Sequence, residues 1–240
     1  MKIEILRSQV DQIDMAETAA RIVAAINGRG SLRIVTANPE MIYAAARDDR
    51  LQQVINTADV VTPDGIGVVW AARRLGYRLP ERVTGIDLLQ QLWPLANRGK
   101  WRIFILGSQP GVAAQAIEKL RDSFPEIVWQ SRHGYFGVSQ EDEILRRIQD
   151  FQPDLLLAGL GSPRQEFWLA RHPGLAYVSM GVGGSFDVIA GRVLRAPRWL
   201  QKMRLEWLYR LCREPKRGKR QMALPKFVWA VMKQRRRQDR

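Results

Sequence analysis

The stretch 154-DLLLAGLGSPRQEFWLAR-171 decides the fold. After the leading aspartate it runs apolar without alternation, Leu155 to Leu160. A strand apolar on both faces is a strand covered on both faces, which is the condition of a parallel sheet packed between helices. Gly161-Ser162-Pro163 then turns the chain into a helical pattern from Pro163 to about Arg171, with Ser162 placed to cap and Pro163 at the first helical position.

Working outward, the same unit recurs. LRIVT precedes a helix from Pro39, ADVVT one from about Ile66, RIFIL one from Gly111 to Ser123, and IVWQS one from Gln140 to Asp150. AYVSMGV supplies a last strand, and KIEIL reads as a further short strand before the amphipathic stretch Met15–Asn27. Strands of this kind alternating with helices predict an α/β fold: a Rossmann-like, mostly parallel sheet with helices on both faces.

At 240 residues, 46% hydrophobic and 26% charged, the composition is that of a globular protein with a real core. A single cysteine, Cys212, excludes an internal disulfide and a four-cysteine zinc site. Two histidines, His133 and His172, leave little for a metal centre. No apolar h-region follows Lys2 and no run of 18 apolar residues occurs, so the expected location is the cytoplasm.

The net charge of +14 is confined to the last fifth of the chain. Residues 1–191 hold 21 Lys and Arg against 21 Asp and Glu, whereas residues 192–240 hold 17 against Glu206, Glu214 and Asp239. The expected organisation is an α/β body over 1–191 and a basic, helical, amphipathic appendage over 192–240. A chain cut after about Gly191 is expected to keep a folded body and to lose whatever function needs the appendage. Such an appendage suits a polyanion, whether nucleic acid, an anionic membrane surface or a phosphorylated substrate. From Pro197, the residues Trp199, Leu200, Met203, Trp207, Leu208 and Leu211 recur at helical spacing among arginines. The later stretch 227-FVWAVM-232, flanked by cations, reads as interfacial, and the interleaved Trp199, Trp207, Phe227 and Trp229 favour a membrane over nucleic acid.

Ligands of open α/β sheets bind outside the carboxyl ends of the strands, so the candidates are the residues just after each apolar run. Thr36 and Asn38 follow the first; Asn38 before Pro39 is a good N-cap, and both face the expected crevice. Asp64 reads as a turn or N-cap residue and equally as a general base beside Gly65 and Gly67. Arg82, near a helix start at Thr84-Gly85, reads as a phosphate clamp or as a surface partner of Glu81 or Asp87. Gly107 opens a tight turn without the GK[ST] of a P-loop, Gly161 precedes Gln165, and Gly184 precedes Asp187, which suits ribose hydroxyls or a helix opening. The acidic run Glu141-Asp142-Glu143 is read as favouring a helix dipole, so no metal site is expected.

Taken together, 36-TANPEM-41, 58-ADVVTPDGIGVVWAAR-73, 80-PERVTGIDLL-89, 159-GLGSPRQE-166, 181-GVGGSFDVIAG-191, 195-RAP-197 and 205-LEWLYRL-211 resemble the WecG/TagA/CpsF family of bacterial glycosyltransferases, glycosyltransferase family 26. The resemblance implies inverting, metal-independent transfer of N-acetylmannosamine or its uronic acid from a UDP-sugar. The implied acceptor is linked to undecaprenyl diphosphate, at the inner face of the cytoplasmic membrane, in the synthesis of cell-surface polysaccharides. It makes Asp64 the general base, places Thr36, Asn38, Arg82 and Gln165 around the reacting sugar, stacks Tyr135 on uracil and sets Asp187 on the ribose. It further implies that the C-terminal segment touches the membrane and brings arginines to the diphosphate, with Arg210, Arg213, Arg217 and Arg220 available. No cofactor is implied beyond the UDP-sugar substrate, and a homo-oligomer is compatible with it. The readings set against this one are a nucleic-acid-binding protein and a nonenzymatic nucleotide-binding protein, each using the basic arm.

Overall fold

A computed structural model describes residues 1–197, Leu200, Tyr209 and 222–238 of the chain. Six parallel strands form one sheet in the order β4-β3-β8-β7-β5-β6, where β3 is Leu32–Ala37, β4 Val60–Pro63, β5 Arg102–Gly107, β6 Val128–Arg132, β7 Leu155–Gly159 and β8 Val178–Gly181. These are the six apolar runs expected from the sequence. The reason for their lack of alternation is visible in the packing. Ile103 and Ile105 face one buried cluster with α1 (Met15–Asn27), α5 (Gly85–Arg98) and α6 (Val112–Arg121). Phe104 and Leu106, one residue out of phase, face another with α7 (Glu141–Phe151) and α8 (Arg164–Arg171).

KIEIL takes a different place from the one its strand pattern suggests. β1 (Lys2–Ile5) and β2 (Ser8–Asp11) form a separate antiparallel hairpin. Ile3 and Ile5 are buried while Lys2 and Glu4 face outward, the alternation of a one-faced strand. The hairpin seals the β4 edge of the sheet: the buried Asp11 carboxylate accepts the Val61 amide at 2.8 Å, with Lys2 Nζ 3.8 Å from the same oxygen. An edge strand whose outward N–H is taken by a carboxylate offers less to a foreign strand.

The helices α2 (Pro39–Ala45), α3 (Asp49–Asn56) and α4 (Ile66–Arg74) cover the other face of β3 and β4, and α9 (Ser185–Ile189) follows β8. The last helix described, α10 (Ala223–Gln238), packs on α2 and α4. This corrects the interfacial reading of 227-FVWAVM-232: Phe227 and Val231 are buried in the cluster that holds Ile42, Ala71, Ala72 and Leu75, while Val228 and Trp229 remain exposed. The helix has two faces, and only one of them matches the expected amphipathic surface role. A cut after Gly191 would therefore strip two core side chains from the body as well as the appendage. The pattern from Trp199 to Leu211 lies almost wholly outside the described residues.

Candidate active site

The carboxyl ends of the strands form one edge, and the connections leaving β5 and β7 diverge there, β5 leading outward to β6 and β7 inward to β8. Divergent connections between adjacent strands open a crevice at their tips. Gly107 and Gly159 are register partners at that point. Gly107 has φ +148°, and a Cβ on it would stand 2.4 Å from the Gly159 backbone, so the close approach of the two tips requires glycine here. Ser108 donates its amide to the Gly159 carbonyl at 2.9 Å and accepts the Gly134 amide at 3.0 Å, tying the loops after β5, β6 and β7 together.

On the β3–β4 side stand Thr36, Asn38, Asp64 and Arg82. Thr36 is buried and its hydroxyl donates to the Gly181 carbonyl at 3.1 Å. Asn38 caps α2, accepting the Met41 amide at 2.9 Å. Asp64 does not cap α4, which begins after Gly65 without a side-chain cap; its amide donates to the Ala37 carbonyl at 2.9 Å. The Val83 amide donates to the Pro63 carbonyl at 2.9 Å, which sets the residue after Pro63, Asp64, beside the residue before Val83, Arg82. The backbone pairing thus brings the general-base candidate Asp64 and Arg82 to the same strand tip.

Asp87, a residue that the sequence offered only as a surface partner, organises this corner. Thr84 caps α5 and donates its hydroxyl to Asp87 Oδ2 at 2.7 Å. Arg195 Nη2 lies 2.5 Å from Asp87 Oδ1, and Arg82 Nη2 lies 3.8 Å from Asp87 Oδ2. One carboxylate at a helix N-terminus thus holds two guanidiniums whose sequence positions are far apart. The T-x-x-D spacing from Thr84 to Asp87 is a local signal that could have marked this cap; nothing local marks Arg195 as its partner.

On the β5–β7–β8 side, Gly161 and Gly184 lie in the loops after β7 and β8, and Asp187 opens α9 with its carboxylate 3.4 Å from the Ser108 hydroxyl. Tyr135, 63% exposed, stands on the loop after β6. Arg164 secures that loop: its guanidinium donates to the Gly134 carbonyl at 3.1 Å and the Phe136 carbonyl at 3.3 Å and lies 4.7 Å over the Phe136 ring. The two sides meet at Gly85, which packs among Thr36, Val182 and Ser185.

Gln165, expected around the reacting sugar, reaches the turn after β8. It is buried, its Oε1 accepting the Gly183 amide at 3.1 Å and its Nε2 donating to Glu166 Oε1 at 2.8 Å. Ser162 does not cap α8, which begins at Arg164 with no side-chain cap. Glu166 is buried, and that burial pushes its carboxyl up from the ordinary glutamate range, against hydrogen bonds from Gln165, its own backbone and Ser162 that favour the charged form. Arg210, Arg213, Arg217 and Arg220 lie outside the described residues. Among the described residues, no three His, Cys, Asp or Glu side chains gather as a metal site requires.

The sequence matches the description of the glycosyl transferase WecG/TagA/CpsF family over residues 3–240. A protein of Bacillus spizizenii (strain W23) is 40% identical over 207 residues, covering 85% of this chain and 79% of the relative. One of Bacillus subtilis (strain 168) is 37% identical over 84% of this chain and 79% of its own, and one of Staphylococcus aureus (strain MW2) is 34% identical over 98% and 94%. All three carry the name N-acetylglucosaminyldiphosphoundecaprenol N-acetyl-beta-D-mannosaminyltransferase.

Proposed function

The chain belongs to the WecG/TagA/CpsF family of glycosyl transferases, and on that footing we propose that it transfers N-acetylmannosamine from a UDP donor to N-acetylglucosaminyl-diphosphoundecaprenol. The acceptor is the one in the relatives' names, and those relatives align with this chain over four-fifths or more of its length.

The observation that carries the reaction is the backbone pairing that brings Asp64 and Arg82 together at the tip of β4, with Arg82 in the Arg82–Asp87–Arg195 cluster and the glycine-floored crevice across from them. In the reaction the acceptor hydroxyl oxygen bonds to the anomeric carbon of the donor. The bond from that carbon to the UDP oxygen breaks, its electron pair leaving on the diphosphate, and the hydroxyl proton passes to Asp64. A single displacement inverts the configuration. Charge developing on the leaving diphosphate is met by arginines, Arg82 and one or more drawn from the C-terminal candidates Arg210, Arg213, Arg217 and Arg220, in the role that a metal plays elsewhere. Tyr135, exposed on the loop after β6, is assigned the uracil by stacking, and Asp187, in the first turn of α9, the ribose hydroxyls.

No described helix is long and apolar enough to cross a membrane. The exposed face of α10, Val228 and Trp229 beside Lys226 and Lys233, suits an anionic surface, and we place the enzyme on the inner face of the membrane as a peripheral protein.

The test is product formation by purified protein from a lipid-diphosphate-GlcNAc acceptor and a panel of UDP-sugars in EDTA. Transfer from UDP-N-acetylmannosamine is expected without metal, and Asp64→Asn is expected to lower it by about 10²- to 10⁴-fold while keeping UDP binding. Transfer that EDTA abolishes, or that survives Asp64→Asn, overturns the assignment.

A further inference from the structure

Glu166 sits in the first turn of α8, where an acid at the surface would favour the helix dipole at little cost. It is instead 2% exposed. A carboxyl held out of water is costly unless its contacts repay that cost, so its burial asks for a structural reason.

The reason lies in its neighbour. The Gly183 amide can only donate, so it needs the oxygen end of the Gln165 side chain; the nitrogen end, which can only donate, is then left for the Glu166 oxygen that accepts from it. The two partners together fix which way the Gln165 carboxamide points. Gly181 lies flush against that carboxamide, since a Cβ on it would stand 2.5 Å from Gln165 Nε2. From the opposite side, Thr36 donates to the Gly181 carbonyl. The turn from Gly181 to Gly184 is therefore fastened by β3 on one flank and by α8 on the other. This same turn passes over Gly159 at the crevice floor and leads to Asp187.

We propose that Glu166 is a positioning residue for sugar transfer: it orients Gln165, and through Gln165 it fixes the turn from Gly181 to Gly184 against which the donor lies. The inference rests on the glycosyl transfer reading for its kinetic consequence, and on the Glu166–Gln165–Gly183 chain for its structural one. Replacing Glu166 by leucine leaves the Gln165 nitrogen buried without an acceptor, and the carboxamide no longer has a reason to present its oxygen to Gly183. Replacing it by glutamine keeps an acceptor at the same reach. Replacing it by aspartate keeps the carboxyl but withdraws the acceptor by one methylene.

Five variants test this: Glu166→Leu, Glu166→Gln, Glu166→Asp, Gln165→Leu, and Gln165→Leu combined with Glu166→Leu. Two quantities are read, kcat for transfer and the hydrogen-exchange rate of the Gly183 amide. Glu166→Leu and Glu166→Asp are expected to lose about 10- to 100-fold in kcat and to expose the Gly183 amide to faster exchange, with Glu166→Gln close to the unsubstituted enzyme in both. The double variant is expected to match Gln165→Leu, because Glu166 acts only through that side chain. Additive losses in the double variant, or Glu166→Asp outperforming Glu166→Gln, overturn the proposal. If Glu166→Leu fails to fold, the order of the aspartate and glutamine variants still decides it. Exchange at Gly183 that responds as expected in a protein without transfer activity upholds the positioning chain and removes the glycosyl transfer reading instead.

Discussion

Replacing Phe227 by alanine tests whether α10 is part of the folded body. The side chain is 1% exposed, and its partner one turn on, Val231, is fully buried. Both belong to the cluster of Ile42, Leu51, Ile55, Ala71, Ala72 and Leu75 that covers the outer half of the sheet. Truncating a buried phenylalanine loses its transfer free energy and leaves a cavity, about 3–5 kcal/mol together. For a chain of this size each kcal/mol lowers the melting temperature by about 2–4 °C, so Phe227→Ala is expected to melt about 6–20 °C lower. Trp229, two residues away and 66% exposed, serves as the control, and its alanine variant is expected to stay within about 0.5 kcal/mol. Thermal unfolding followed by far-ultraviolet circular dichroism reads the stability. Co-sedimentation with phosphatidylglycerol vesicles reads the surface role, which Trp229→Ala should weaken. An unchanged melting temperature for Phe227→Ala, with vesicle binding lost, refutes the packing argument and restores a purely interfacial helix.

Gly107→Ala is expected to cost more than about 1 kcal/mol in urea unfolding, because φ is positive and the added methyl meets the Gly159 backbone. Gly137→Ala, with nothing within 4 Å, is expected to be neutral in the same experiment. Arg164→Met releases two carbonyls of the Tyr135 loop and is expected to raise the donor KM about 5- to 30-fold with kcat nearly unchanged, a loss of uniform binding, while Arg164→Lys restores it only in part. For Glu166, a carboxyl raised on folding holds its proton in the native state over a window in which the unfolded chain has already lost it. Stability from this group therefore falls as pH rises from the ordinary glutamate value, about 4.3, toward the raised native one. Glu166→Gln should flatten that slope, and an identical pH–stability profile in both proteins would show that burial does not perturb this carboxyl.

The six-stranded sheet was legible because its central strands are short runs apolar on two faces, recurring between helical patterns, with the edge strand β6 the least apolar of them. Ile103 with Phe104, or Leu155 with Leu156, carries that message locally. The hairpin was half legible. KIEI alternates in the manner of a one-faced strand, but β2 is Ser8-Gln9-Val10-Asp11, whose buried Ser8 and Asp11 owe their places to Gln52 and Val61 across the fold. Asn38 was readable as a cap because capping is local; Asp64 was not decidable, because a cap and a base look alike until the helix start is seen. Pairs such as Asp87 with Arg195, or Gln165 with Gly183, depend on which strand tips are neighbours, and no spacing rule conveys that. Phe227 misled for a related reason: aromatic residues among cations look the same whether the apolar face meets lipid or the protein's own core.

The strand order has a consequence for when the enzyme comes into being. Among the described residues β8 is the last of the six strands of the sheet in chain order, yet it lies in the interior between β3 and β7. Until residues 178–181 are inserted, the chain holds two incomplete sheets, β4–β3 and β7–β5–β6, each with a raw edge turned toward the gap. The Gly181–Gly184 turn, and with it the contacts of Thr36 and Gln165, arrives in the same step that closes those edges. A nascent or clipped chain that stops short of β8 is thus both sticky and inert, and completion of the sheet and the birth of the crevice are a single event.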